Sequence, residues 1–258
     1  MGLFEENLAD VVFKVAESKE ELEAAYTLVH SRYVCQSYMD KHPSGMRIKI
    51  NYAFPDTVTF IARQGETIFS TLTLFSDSPY GLPADVIFKA EIDELRNGGK
   101  KVVEVGSFAS SLQMFRLNRD MPLYMNKAML KYAMDVLKSN DVIITINPRH
   151  VRAYEDVLLY EPKGELKYYP DVKNHPACLM HLNLDHAKEK YLKEYGRPDR
   201  KSNLFEFYFV TETLCIKLPQ EKVKVWNKTL FDYFYREKTD IAEHTTKEIL
   251  DLIAQDFL

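Results

Sequence analysis

Strand-like and helix-like runs alternate along the first two thirds of this chain, and that alternation leaves few architectures open. Val11 to Ala16 is a short strand-like run. Ser18 and Glu21 then stand at capping-box spacing ahead of Leu22, Ala25, Tyr26 and Val29, which recur at helical intervals. TVTFIARQGETIFSTLTLF reads as two β-branched strands turning around Gln64 and Gly65. Pro83 to Leu95 is helical in pattern and is stopped by Asn97-Gly98-Gly99. Lys101 to Phe108 (KVVEVGSF) is the next strand. In LYMNKAMLKYAMDVLK, Leu123, Leu130, Ala133 and Leu137 mark one apolar face with Met125, Met129, Tyr132 and Val136 beside it, so this helix is expected to be central and largely buried. DVIITI (Asp141 to Ile146) is a continuous apolar strand, followed by Asn147-Pro148, a short helical run from Val151 to Leu158, and a late strand from Ala177 to Leu184. The order predicts an α/β fold: a mixed sheet flanked by helices.

A chain of 258 residues with 46% hydrophobic content can bury one substantial core with a helical appendage. The texture changes near Asp185, which divides the chain into a main domain, 1–185, and a mainly helical extension, 186–258, packed on it. In the extension, FEFYFV reads as a strand or buried coil, and Trp226, Phe231, Tyr233, Phe234 and Tyr235 form an aromatic series. Lys plus Arg total 34 against 38 Asp plus Glu, and a net charge of −4 argues against a nucleic-acid partner. No apolar stretch reaches the ~20 residues that a membrane span needs, and MGLFEENLAD lacks the pattern of an export signal. Cys35, Cys178 and Cys215 have no CxxC spacing, which fits reduced thiols in a cytoplasm. His175, His181 and His186 are spaced so that no regular element puts all three on one face, and no metal site is expected.

Glu104 is the residue that asks for a chemical account, because it sits amid Val102, Val103 and Val105. It either faces water on a half-solvated strand or is a desolvated general base, with a pKa raised towards the range useful for taking a proton from an ammonium group. Gly106 beside it marks a bulge or a close approach. If neighbouring strands part here, main-chain groups around Val105 and Ser107 lose their partners. An amide-bearing ligand such as a pantetheine arm can then pair with them as a pseudo-strand.

The order of VVEVGSFA, a basic loop, a buried helix, DVIITI and NPRHVRAYEDVLLYEP resembles the core of the GNAT acyltransferase superfamily. More narrowly it resembles the N-acyl amino acid synthases and the acyl-homoserine lactone autoinducer synthases, over roughly Val11 to Leu184. The resemblance implies a GNAT-like sheet with splayed central strands. It also implies an acyl transfer in which Glu104 is the base and Tyr154 donates a proton to the departing thiolate. Val105, Gly106, Ser107, Phe108, Leu123 and Asn147 would hold the donor's pantetheine arm, and Arg32 and Tyr38 a substrate carboxylate. Acetyl-CoA-using members carry a glycine-rich pyrophosphate turn, whereas no glycine occurs between Ser107 and Leu123, where Arg116 and Arg119 stand instead. That favours the single phosphate of an acyl carrier protein over coenzyme A, although CoA remains a possible donor. The arginine that autoinducer synthases place just beyond the strand glutamate is replaced here by Gly106-Ser107-Phe108, so lactone formation is not implied.

The expected function is therefore transfer of a medium or long acyl group from acyl carrier protein to the amine of an amino acid or related small molecule, with no metal or redox cofactor. Arg116, Arg119, Lys127, Lys131, Arg149 and Arg152 would form the patch that meets the acidic carrier. Phe108, Met114, Phe115, Met125 and Met129 would receive the acyl chain. The alternatives are an acetyl-CoA-dependent small-molecule acetyltransferase and a non-catalytic GNAT-fold module that binds an acyl group or a partner.

Overall fold

The computed structural model describes residues 8, 10–112, 120–197, 203–255 and 257. A mixed sheet runs through the molecule in the order β6-β8-β5-β4-β3-β2-β1-β9, with β7 pairing on β8. The strands are β1 (Val11–Val15), β2 (Val58–Gln64), β3 (Thr67–Ser76), β4 (Val102–Ser110), β5 (Asp141–Ile146), β6 (Glu161–Pro162), β7 (Lys167–Tyr169), β8 (His175–Asn183) and β9 (Ile216–Lys217). Helices α1 (Lys19–Cys35), α2 (Asp85–Asn97) and α3 (Met121–Asp135) pack around it, joined by α4 (Val151–Asp156), α5 (Leu184–Tyr195), α6 (Lys228–Asp232) and α7 (Lys247–Gln255).

Local sequence sets most of these boundaries. Ser18 and Glu21 close the expected capping box on α1, each satisfying a main-chain N–H of the first turn. β2 and β3 form the hairpin across Gly65, which holds the positive φ such a tight turn requires. α3 is buried along most of its length, with Met125 and Met129 wholly inside the core. The six residues of DVIITI form β5 without remainder.

Beyond Asp185 the chain continues the same core. β9 adds to the sheet parallel to β1, and Phe207, Trp226, Phe234 and Tyr235 join the main apolar cluster. FEFYFV is neither strand nor coil: Glu206–Val210 forms one turn of π-helix. β-propensity yields here to tertiary packing, because Phe207 sits edge-on to Tyr124 of α3 and Tyr208 edge-on to Tyr191 of α5. Among the described residues, no helix is long and apolar enough to cross a membrane.

Candidate active site

β4 and β5 run parallel and pair only from Val102–Asp141 to Val105–Ile144. Beyond that point each follows its other neighbour: β4 stays bonded to β3 as far as Ser110, and β5 to β8 as far as Ile146. The seam between them opens at residue 105, as expected. The register between β3 and β4 slips at the same place, since Gly106 pairs with Thr73 but Ala109 with Thr71. Two residues of β4, Ser107 and Phe108, therefore oppose one of β3, which is a β-bulge. Ser107 takes a left-handed φ of 51°, and its Oγ lies 2.7 Å from the Tyr52 hydroxyl. Gly106 stands at a close approach: a Cβ there would lie 3.0 Å from Cε2 of Phe75, so a larger residue would have to push that ring aside.

A cavity of about 110 Å³ opens at this fork. One part of its lining comes from the parted strands: Glu104, Val105, Gly106 and Ser107 of β4, and Thr145, Ile146 and Asn147 at the end of β5. The other comes from elsewhere in the fold: Tyr33, Tyr38, Arg47, Lys49, Tyr169, Asp171 and His175. Glu104 is 3% exposed, and its Oε2 accepts a 2.8 Å bond from the Ala84 N–H at the start of α2. Burial pushes its pKa up to about 8, against the opposing pull of that N–H and of the Lys49 charge. The buried alternative of the two sequence readings is thus the one realised.

Opposite the strand residues lies a buried ion cluster. Arg47 Nη2 donates to Asp171 Oδ2 at 2.8 Å and Lys49 Nζ to the same oxygen at 2.5 Å. Burial raises the Asp171 pKa, but the two cations outweigh it and hold the carboxylate below its ordinary value. Desolvation lowers that of Lys49, and Asp171 opposes the shift. The Arg47 guanidinium also stands over the ring of Tyr33, 4.9 Å from its centroid. None of these residues was singled out by sequence reasoning. The available signal was the alternation Arg47-Ile48-Lys49-Ile50, which sets both cations on one side of an extended run.

Of the expected site residues, Glu104, Val105, Gly106, Ser107, Asn147 and Tyr38 share this cavity. Asn147 serves its turn as well, its Oδ1 accepting from the Arg149 N–H. Tyr38 accepts from Arg149 Nη2 at 3.1 Å and meets His175 edge-on. Arg32, Phe108 and Leu123 are half-buried and do not line the cavity. Nor does Tyr154, whose ring lies edge-on to Tyr160 and whose hydroxyl burial pushes up to about 12. Arg116 and Arg119, like Met114 and Phe115, lie outside the described residues.

Two expectations are corrected. Met125 and Met129 fill the core, so an acyl chain could occupy their positions only by displacing native packing. Lys127 is no part of a surface patch: it is 4% exposed, with Nζ donating to the Thr211 carbonyl at 2.7 Å and to Thr213 Oγ1 at 2.6 Å. Desolvation lowers its pKa to about 8. Lys131 pairs with Asp135 on the surface, and Arg152 is exposed. The three histidines are dispersed: His175 lines the cavity, His181 bonds the buried Asp141 at 2.6 Å, and His186 is exposed on α5. Among the described residues no group of three or more His, Cys, Asp or Glu side chains could hold a metal ion.

Sequence comparison matches the N-acyl amino acid synthase FeeM family over residues 24–183, which takes in both sides of the cavity. This chain belongs to that family. The solved structure of FeeM, an N-acyl amino acid synthase from uncultured soil microbes, is similar at 27% identity and a TM-score of 0.63, covering 72% of this chain and 98% of that one. BjaI, a CoA-dependent acyl-homoserine lactone synthase solved with SAM and isopentyl-CoA, shares the fold at 11% identity and a TM-score of 0.55, covering 83% and 96%. No curated protein matches the sequence. The chain is an N-acyltransferase, and its sheet is the mixed, helix-flanked one that the order of strands and helices predicts.

Proposed function

We propose that this enzyme transfers a medium or long acyl group from an acyl carrier protein thioester to the amine of an amino acid or a closely related small molecule. The observation that carries the reading is the shared cavity: the buried Glu104 carboxyl and the parted ends of β4 and β5 line one space. The main-chain groups of β4 beyond Val105 have no partner on β5, so an extended pantetheine arm can pair there as a strand would. Its thioester carbonyl is then held beside Glu104.

In the reaction Glu104 takes one proton from the acceptor ammonium. The free amine attacks the thioester carbonyl, the carbon–sulfur bond breaks as the amide forms, and the thiolate takes up the proton held on Glu104, which restores the base, while the second ammonium proton passes to solvent. Holding both reactants in one cavity supplies much of the acceleration. A base whose pKa is near neutrality adds on the order of 10² to 10⁴.

The carrier donor is supported by the absence of glycine between Ser107 and Leu123 and by Arg116 and Arg119 in that segment, which suit one phosphate rather than a nucleotide diphosphate. The test is a donor comparison. Purified enzyme with an amino-acid mixture is offered C10 to C16 acyl carrier protein, the matching acyl-CoA esters and acetyl-CoA, and products are read by mass spectrometry. N-acyl amino acids formed fastest from the carrier donors are expected. Preference for acetyl-CoA, or no N-acyl product from any donor, overturns the proposal.

A further inference from the structure

Glu104 and Ser107 stand three residues apart on β4 and line the same cavity. In a regular strand an odd spacing sends two side chains to opposite faces. The bulge at Ser107 and Phe108, with the left-handed φ of 51° at Ser107, breaks that alternation and lets both residues meet one space. A serine in this region is strained, since glycine alone adopts it freely, and such strain concentrates at functional sites. Position 106 is glycine, yet the left-handed residue is the serine beside it.

Behind the serine stands Tyr52, which is 1% exposed and does not line the cavity. Its hydroxyl lies 2.7 Å from Ser107 Oγ, and its ring is fixed between Tyr26 and Phe75. Burial pushes its pKa up to about 12, against the pull of the Arg47 charge, so it keeps its proton. Of the two hydroxyls the phenol is the more acidic and therefore the better donor. With Tyr52 donating, Ser107 Oγ is the acceptor, and its own hydrogen is left for the cavity. Each bond in such a chain strengthens the next.

Resting on the reading of the fork as the place where the thioester is held, we propose that the Ser107 hydroxyl donates a hydrogen bond to the thioester carbonyl oxygen as it becomes an oxyanion, with Tyr52 as the positioning residue behind it. The amine lone pair forms the new carbon–nitrogen bond while the π pair of the carbonyl moves onto oxygen. As the tetrahedral species collapses, that pair returns and the carbon–sulfur bond breaks. Ser107 gives up no proton at any point, so the proton cycle of Glu104 is untouched. A fixed donor of this kind acts mainly in the transition state, where the charge on oxygen is greatest, and losing one costs about 10² to 10³ in kcat.

The test separates the hydroxyl from the backbone. Ser107→Ala keeps the left-handed strain and Ser107→Gly relieves it, while both lose the hydroxyl. Each is assayed with C12 acyl carrier protein and the matching N-acetylcysteamine thioester as donors and an amino-acid mixture as acceptor, beside a thermal melt. Both variants should lower kcat by about 10²-fold and change the donor KM by less than about threefold, although their melting temperatures move apart. Tyr52→Phe keeps the stacked ring and should lower kcat by about tenfold. Adding it to Ser107→Ala should cost nothing more, because the two hydroxyls act as one. The rise of kcat/KM with pH that Glu104 sets should persist in all of them. Wild-type kcat in Ser107→Gly, or a rate loss that follows the melting temperature across the set, overturns the assignment and leaves the transferase reading in place. No N-acyl product from wild-type enzyme with any thioester overturns both.

Discussion

The Ala84 main-chain N–H, one residue ahead of α2, donates to Glu104 Oε2 across 2.8 Å and fixes the carboxyl at the fork between β4 and β5. A glutamine can keep that bond through its amide oxygen but cannot take a proton. Glu104→Gln should therefore retain the fold and lower kcat by about 10² to 10⁴. Steady-state kinetics beside a thermal melt check this, and wild-type turnover in the variant would remove Glu104 from the chemistry.

The raised pKa of Glu104 also sets a pH dependence. Only the ionised carboxylate accepts the proton, so kcat/KM should climb with pH through about 8 and then level, and the climb should vanish in Glu104→Gln. The stability effect has the opposite sign. Between the ordinary carboxylate value of 4.5 and about 8, the folded state keeps a proton that the unfolded chain has released, so this contribution is present at low pH and is lost as pH rises. Urea melts should show the wild type losing stability relative to Glu104→Gln by up to about 1.4 kcal/mol per pH unit across that window. Lys49, Asp85, Asp171 and Tyr169 are the charged and titratable neighbours, and because Lys49 and Tyr169 feel the Glu104 charge, the difference reports Glu104 together with its effect on them.

The β4 bulge yields a paired test of backbone geometry. Ser107 is left-handed, so Ser107→Gly relieves the backbone while giving up the bond to Tyr52, and stability should change by less than about 1 kcal/mol. Ser107→Val places a β-branched side chain at a positive φ and should cost about 1–3 kcal/mol. Chemical denaturation of both variants decides it: equal losses would mean that the hydroxyl, not the backbone, matters here.

Much of this was legible in the sequence because local physics wrote it there. A capping box, a glycine turn and a glutamate embedded among valines each act through near neighbours, and each led to a real element or to a buried residue that lines the cavity. What was not legible depends on distant partners. β6, β7 and β9 are two or three residues long and exist only because β8 and β1 offer edges to them. Arg47 and Asp171 lie 124 positions apart, so no window of sequence could show them sharing a charge. Lys127 reads as surface by residue type, yet the Thr211 carbonyl and Thr213 hydroxyl, more than eighty positions away, let it be buried.

Arg116 and Arg119 carry the proposed preference for a carrier-bound donor. Reversing both to glutamate should slow transfer from acyl carrier protein by tenfold or more, since like charges would face an acidic partner, and should leave a short N-acetylcysteamine thioester nearly unaffected. Raising the salt concentration should weaken the wild type towards the variant on the carrier donor alone. Equal losses on both donors would place these arginines in folding or chemistry instead of docking.

The C-terminal segment reaches the site through two hydrogen bonds in series. Trp226 Nε1 donates to the Tyr52 carbonyl at 2.7 Å, and the Tyr52 hydroxyl meets Ser107 Oγ of the bulge at the same distance. Tyr52 is also stacked between Tyr26 and Phe75, with centroids 4.7 and 5.6 Å away, so its position is set by packing as well as by bonds. Trp226→Phe keeps an aromatic ring but leaves a buried carbonyl short of a donor, at a cost of about 1–3 kcal/mol. The melting temperature should fall by roughly 2–4 °C for each kcal/mol lost. If Tyr52 transmits the change to the bulge, the KM for the thioester donor should rise more than that for the amine acceptor. A lowered melting temperature with both KM values unchanged would confine Trp226 to stability. Removing residues 204–258 altogether takes Phe207, Trp226, Phe234 and Tyr235 out of the shared core and should abolish cooperative unfolding, as circular dichroism on heating would report.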